Sequence, residues 1–198
     1  MRPINLNNIE EQSIGGDFKR LEPGAYPCVI MKVEDVEDRE YLRLYFDIVA
    51  GEFKDYFSDP FYADKGFLHS TVFTYKEKNL GYFKHNLHII SDCNPGFDAE
   101  AAIVAGKEQL LVGKAVGVVF REEEYVDGKT GEVKMGSPRP DRVVRLDELE
   151  EERNAHPKPK TLTDAQADEE RRRKGVGKPV ETADGTAAAY DGDIPFDI

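Results

Sequence analysis

Several things are scarce in this 198-residue chain, and each scarcity removes a class of function. Two cysteines are present, Cys28 and Cys93, far apart in the sequence. Neither has a second cysteine nearby, which excludes a zinc knuckle or a CxxC redox pair and leaves two free thiols of a reducing cytoplasm as the expectation. No run of apolar residues approaches the ~20 needed to span a bilayer. The opening MRPINLNNIEEQ lacks the apolar stretch of a secretory signal, so neither export nor a membrane is expected. Catalytic signatures are missing too: there is no GxxxxGK(S/T), no GxSxG and no HExxH. His85 and His88 form an HxxH pair, but nothing at a fixed offset completes a metal set. They read as solvated or packed histidines, and the chain as a non-enzyme without a cofactor.

Positive charge is also short. The net charge is −12, with 19 basic and 28 acidic groups in residues 1–150 and 8 and 11 in residues 151–198. The chain as a whole does not attract a polyanion. Binding to nucleic acid would require a local basic groove, since Lys and Arg contacts to phosphate supply most of that affinity. The run Glu122–Glu124 suggests a nuclease metal site, yet on a strand only Glu122 and Glu124 share a face. A solvated edge that discourages aggregation is the more ordinary reading.

What is present is strand patterning. The segment 25–36, AYPCVIMKVEDV, follows Gly24 and reads as a first strand. In 40–50, Leu42, Leu44, Phe46 and Ile48 point one way, and Tyr41, Arg43, Tyr45 and Asp47 the other. A hairpin turn joins the two. The segment 51–59, GEFKDYFSD, reads as a third strand, with Phe53 and Phe57 on one face and Lys54 and Tyr56 on the other. Leu80, Phe83, Leu87 and Ile90 then recur at helical spacing, and NPG at 94–96 stops that helix. A second helix is expected over 98–111 with Asp98 as N-cap. Strand character returns at 114–125, turn chemistry at 126–132, and short extended pieces follow in VKMG and DRVVRLDEL.

Three meandering strands, a helical connection and a closing hairpin are the layout of an OB-fold, a mainly β, five-stranded barrel with helices between strands 3 and 4. A five-stranded antiparallel sheet with helices on one face is the competing layout. The domain spans 22–150, after an N-terminal extension of 1–21. From 151 to 198 apolar residues are few and charge, Pro, Gly and Ala abound. Burial there cannot offset the entropy of ordering, which predicts a disordered tail with a transient helix near 163–174.

The candidate site residues are aromatic and basic. Tyr41, Arg43 and Tyr45 on the second strand, with Lys54 and Tyr56 beside them, would let rings stack on unpaired bases while cations track the phosphates. Tyrosines on strands also arise from β-propensity and cross-strand pairing alone. A second basic and aromatic window carries Lys76, Lys78 and Lys84 with Tyr75 and Tyr82, and an amphipathic helix with a solvated lysine face explains it equally well. Arg139, Arg142 and Arg145 form a third, less specific patch.

The phrases GEFKDYFSD, TYKEKNLGYFKHNLHIISDCNPGF, LVGKAVGVVFREEEYVDGKTGEV and RVVRLDEL, over roughly 22–148, resemble the small single-stranded-DNA-binding proteins of phages and integrative elements of Gram-positive bacteria. The chain's end is similar to the acidic tip of bacterial single-strand-binding proteins: Asp191, Asp193, Ile194, Pro195 and Phe196 match its pattern. The resemblance implies sequence-nonspecific binding of single-stranded DNA in a bacterial host's cytoplasm, in support of replication or recombination. It also implies a tail that recruits replication or recombination proteins, and a possible homo-oligomer. Phe196 would fill an apolar pocket on the partner while the aspartates meet basic groups on its rim. The family's tip ends on Phe, whereas Asp197 and Ile198 follow here, which bears on which partner it engages. The rival expectation is an acidic adaptor that uses the same barrel to bind protein and has no affinity for DNA.

Overall fold

The computed structural model describes residues 19–62 and 65–179. Strands β1 (Gly24–Val36), β2 (Tyr41–Ile48) and β3 (Ser70–Thr74) form an antiparallel meander. Helices α1 (Leu80–Cys93) and α2 (Ala99–Val104) follow, and then β4 (Ala115–Arg121). A small hairpin of β5 (Glu124–Val126) and β6 (Val133–Met135) leads to β7 (Arg139–Val144), and α3 (Leu149–Asn154) and α4 (Asp164–Lys174) come last. The main sheet has the order β3-β2-β1-β4-β7, with every neighbouring pair antiparallel. Its two outer strands, β3 and β7, come back beside one another, so the sheet is a nearly closed five-stranded barrel of OB type.

Period-2 patterning explains why these residues wrap a barrel. Leu42, Leu44, Phe46 and Ile48 are all buried and line its interior, as their alternation predicts. In β1 the alternation breaks at a bulge between Ile30 and Lys32. Met31 is the extra residue and stands exposed, which lets Ile30 and Val33 both face inward at a spacing of three. From β4, Val116, Val118 and Phe120 complete the lining. Each such fully buried side chain contributes about 1.5–3 kcal/mol. One end of the barrel is closed by α1, which turns Phe83, Leu87 and Ile90 into the core. Asn94 latches that helix to β4. Its amide nitrogen donates to the carbonyls of Ile90 and Ala115, and its amide oxygen accepts from Ala115 N at 3.0 Å. Asp98 caps α2 by accepting from Ala101 N at 2.9 Å, as expected.

The third strand is not where its composition points. Residues 51–59 form turns and a 3-10 turn at Tyr56–Ser58, where Gly51 and Asp55 take left-handed backbone that interrupts regular strand geometry. Phe53 and Phe57 both turn inward and, with Tyr26, Tyr56, Tyr62 and Phe120, plug the other end of the barrel. The strand that pairs with β2 is Ser70–Thr74, with Leu42 opposite Phe73. The expected helix over 98–111 is divided. It ends at Val104, Gly106 takes positive φ, and a 3-10 turn runs over Glu108–Leu111. The segment after Arg145 turns helical instead of extended.

Within the segment from 151, residues 151–179 are described and carry the end of α3 and the whole of α4, the latter over the span where a transient helix is expected. Leu149 of α3 packs on Ala25, Val119 and Val144, on the outside of the barrel. Helix α4 starts with the Thr163 and Gln166 capping box and lies against the hairpin. Arg171 Nε donates to Gly131 O at 2.8 Å, Lys174 Nζ donates to Val126 O at 2.6 Å, and Glu170 accepts from Val126 N. Burial is slight here, and only Ala167 of α4 is buried. Side-chain hydrogen bonds to backbone hold the segment, a force that apolar composition does not report. Asp191, Asp193, Ile194, Pro195 and Phe196 lie outside the described residues. Among the described residues no helix is long and apolar enough to cross a membrane.

Candidate nucleic-acid interface

The outward side of β2 carries Tyr41, Arg43 and Tyr45, each half-buried, in one row about 13 Å long. Arg43 lies between the two rings. Its guanidinium donates to the Tyr41 hydroxyl at 3.1 Å and sits 5.6 Å from the Tyr41 ring centroid. A hydrogen bond to Tyr45 is the largest influence that raises its pKa and keeps it charged. Tyr45 in turn donates to Glu34 Oε2 on β1 at 2.7 Å. Lys32 lies 2.5 Å from the other oxygen of Glu34 and 5.2 Å from the Tyr45 ring centroid. Hydrogen bonds from Lys32 and then from Tyr45 hold the Glu34 carboxyl below its ordinary range. The row therefore presents two cations and one carboxylate, a local balance opposite in sign to that of the whole chain.

Other residues singled out from the sequence lie elsewhere. Lys54 is on the turn beyond β2, exposed and 3.9 Å from Asp55, at the aromatic end of the barrel and not on the sheet. Tyr56 is in the aromatic plug, and its hydroxyl accepts from Leu21 N at 3.0 Å. Its loss from the sheet face follows from the turn at Asp55. Lys76 and Lys78 are exposed on the segment that leaves β3 after Thr74, the residue opposite Tyr41, so they continue the row at that end. Lys84 is on α1, where it meets Glu100 at 2.7 Å, and His88 Nε2 meets the other oxygen of Glu100 at 2.8 Å. Lys84 and His88 thus share the Glu100 carboxylate at the surface on the helical side, and His85 is exposed on the same helix.

The acidic run is likewise partnered. Glu122 meets Arg20, Glu123 meets Lys160, and Glu124 accepts from Leu162 N. Of the third patch, Arg142 pairs with Asp141 and Glu152, and Arg145 with Asp92 and Glu148. Arg139 separates from both and lies 5.1 Å from the ring centroid of Phe67.

That last contact belongs to a surface the sequence reading passed over. Phe61 and Phe67 stand 58 % and 57 % exposed on the β2–β3 connection, and Lys65 Nζ lies 3.0 Å from the Phe61 ring centroid. The connection reaches the sheet row through Gly66, where an added Cβ would fall 2.7 Å from Tyr45 Cε1. The available signal was two phenylalanines flanking a lysine and a glycine, without periodicity. Neither the family models nor the curated proteins compared with this chain include a match to it.

Proposed function

We propose that this protein binds single-stranded DNA without strong sequence preference, in support of phage or mobile-element replication and recombination in a bacterial cytoplasm. The observation that carries the reading is the row Tyr41–Arg43–Tyr45 on the outer side of β2, in a barrel whose second and third strands are a common nucleic-acid face. Two rings four residues apart on one face of a strand, with a cation between them, offer two stacking platforms, and any base can stack. Arg43, Lys76 and Lys78 supply charge to the phosphates along the same edge. The ending Asp191 to Phe196 would then recruit a replication or recombination protein, and self-association would multiply the binding face. An acidic exterior elsewhere discourages non-specific duplex binding.

Fluorescence anisotropy of labelled oligo-dT against a duplex of equal length, at low and moderate salt, tests the reading. Tight single-strand binding that weakens with salt is expected, with little duplex binding. Tyr41→Ala with Tyr45→Ala is expected to weaken binding at least tenfold with unchanged circular dichroism. Absence of binding at low salt would refute it.

One observation favours the adaptor instead. An apolar groove of about 540 Å³ lies between β2, α1 and α2, lined by Leu42, Leu80, Phe83, Leu87, Ile103 and Val104. A protein that binds no DNA yet retains a partner through this groove would be that adaptor.

A further inference from the structure

Phe61, Phe67, Lys65 and Arg20 line a groove of about 410 Å³, within the roughly 300–1,000 Å³ of small-ligand sites, and Arg139 adjoins it, 5.1 Å from the Phe67 ring centroid. Its floor is the aromatic plug, with Tyr56, Phe57 and Tyr62, and its far wall is the turn at Ser137 and Pro138. Two large rings more than half exposed are not needed to close the barrel, since Phe53, Phe57 and Tyr62 already do so.

Among the groove's own cations Arg20 meets the Glu122 carboxylate, as many cations on the barrel do. Lys19, Lys84, Arg121, Arg142 and Arg145 each meet a carboxylate. Lys65 and Arg139, like Arg43, lie over rings instead, and among the described residues none of the three meets a carboxylate. The Nε of Arg139 is buried and makes no hydrogen bond among them. The groove therefore joins aromatic faces to two cations, Lys65 in its lining and Arg139 beside it, that meet no carboxylate among the described residues, in a chain of net charge −12. An acidic aromatic peptide would find rings and charge here too, but the groove adjoins the row on β2. Gly66, between the groove residues Lys65 and Phe67, is packed against the Tyr45 ring.

We infer that this groove is a second base-binding site, in which an unpaired nucleotide stacks on Phe67 and Phe61 while Lys65 and Arg139 hold its phosphates. The site rests on the single-strand reading and extends it, lengthening the bound path beyond the sheet face.

The chain contains no tryptophan, so one introduced at the groove is a unique reporter. Phe67→Trp in the full chain, titrated with oligo-dT, is expected to lose most of its tryptophan fluorescence as bases stack on it. Val104→Trp, on the exposed end of α2, is expected to change little. Phe61→Ala with Phe67→Ala is expected to weaken oligo-dT binding of the otherwise natural chain at least tenfold, with unchanged circular dichroism. If the natural chain binds oligo-dT while Phe67→Trp is not quenched and the double alanine variant binds normally, the groove is not a base site and the single-strand reading stands without it. If the natural chain does not bind oligo-dT at all, both readings fall together.

Discussion

Asp47 is the single fully buried charged side chain among the described residues, and it explains how an irregular loop can close a barrel. One carboxylate oxygen accepts from Ile48 N at 2.8 Å and Phe57 N at 2.9 Å, and the other accepts from the Ser58 hydroxyl. It thus pins the aromatic plug to the end of β2. Asp47→Ala leaves those donors buried without an acceptor and is expected to cost about 3 kcal/mol, while Asp47→Asn keeps one acceptor oxygen and costs less. Urea unfolding with both variants checks the order. Near Asp47 lies Cys28, whose thiol pKa is raised chiefly by burial and further by the Asp47 charge. Burial likewise pushes the Tyr26 hydroxyl up to about 12. Both groups hold their protons in the fold at a pH where the unfolded chain releases them. Above pH ~9 the unfolded state therefore binds fewer protons, and stability falls as pH rises. The expected result is a flat unfolding midpoint between pH 7 and 8.5 and a decline above that. Cys28 should resist alkylation until the chain unfolds.

At the scale of elements, legibility follows the kind of force that holds each one. The strand β2 and helix α1 were readable because burial imposes a period, and Leu42 to Ile48 and Phe83 to Ile90 display it. The connection 49–69 was not, because Phe53, Phe57 and Tyr62 meet at no fixed period around turns set by Gly51 and Asp55. The row Tyr41–Arg43–Tyr45 could be read from alternation, but Arg139 over Phe67 is a contact between distant segments and leaves no local pattern. Helix α4 was legible as a transient helix near 163–174, but its docking was not, for a third reason: Arg171, Lys174 and Glu170 bond to backbone of the β5–β6 hairpin and bury little. At Gly131 the fit is so close that an added Cβ would fall 2.0 Å from Gly177 O. Arg171→Ala with Lys174→Ala is therefore expected to release the hairpin and leave the barrel intact. Hydrogen exchange should accelerate within 124–135 and 164–174, with β1 and β2 protection unchanged. Equal loss of protection throughout would mean that α4 belongs to the cooperative core.

For the molecule as a whole, the central tension is a proposed polyanion binder that is itself polyanionic. Local geometry offers a resolution. Part of the negative charge on the barrel is taken up in ion pairs such as Asp92 with Arg145 and Glu122 with Arg20, whereas Arg43, Lys65 and Arg139 are held against rings. Exposed charges act over a Debye length of about 8 Å at physiological ionic strength, so a strand on those rings meets the local charges more than the net charge of the chain. The last segment is different in kind: residues 180–198 carry five acidic groups and no basic one. Ending the chain after Pro179 changes its net charge from −12 to −7 and removes no residue of either aromatic surface. If binding is governed by the field of the whole chain, the shortened protein should associate with oligo-dT severalfold faster at low salt, with the advantage vanishing as salt rises. Stopped-flow association at two salt concentrations measures this directly. An equal rate at low salt would mean that the cations beside the rings already dominate the approach of the strand. A slower rate would make the segment part of the binding surface.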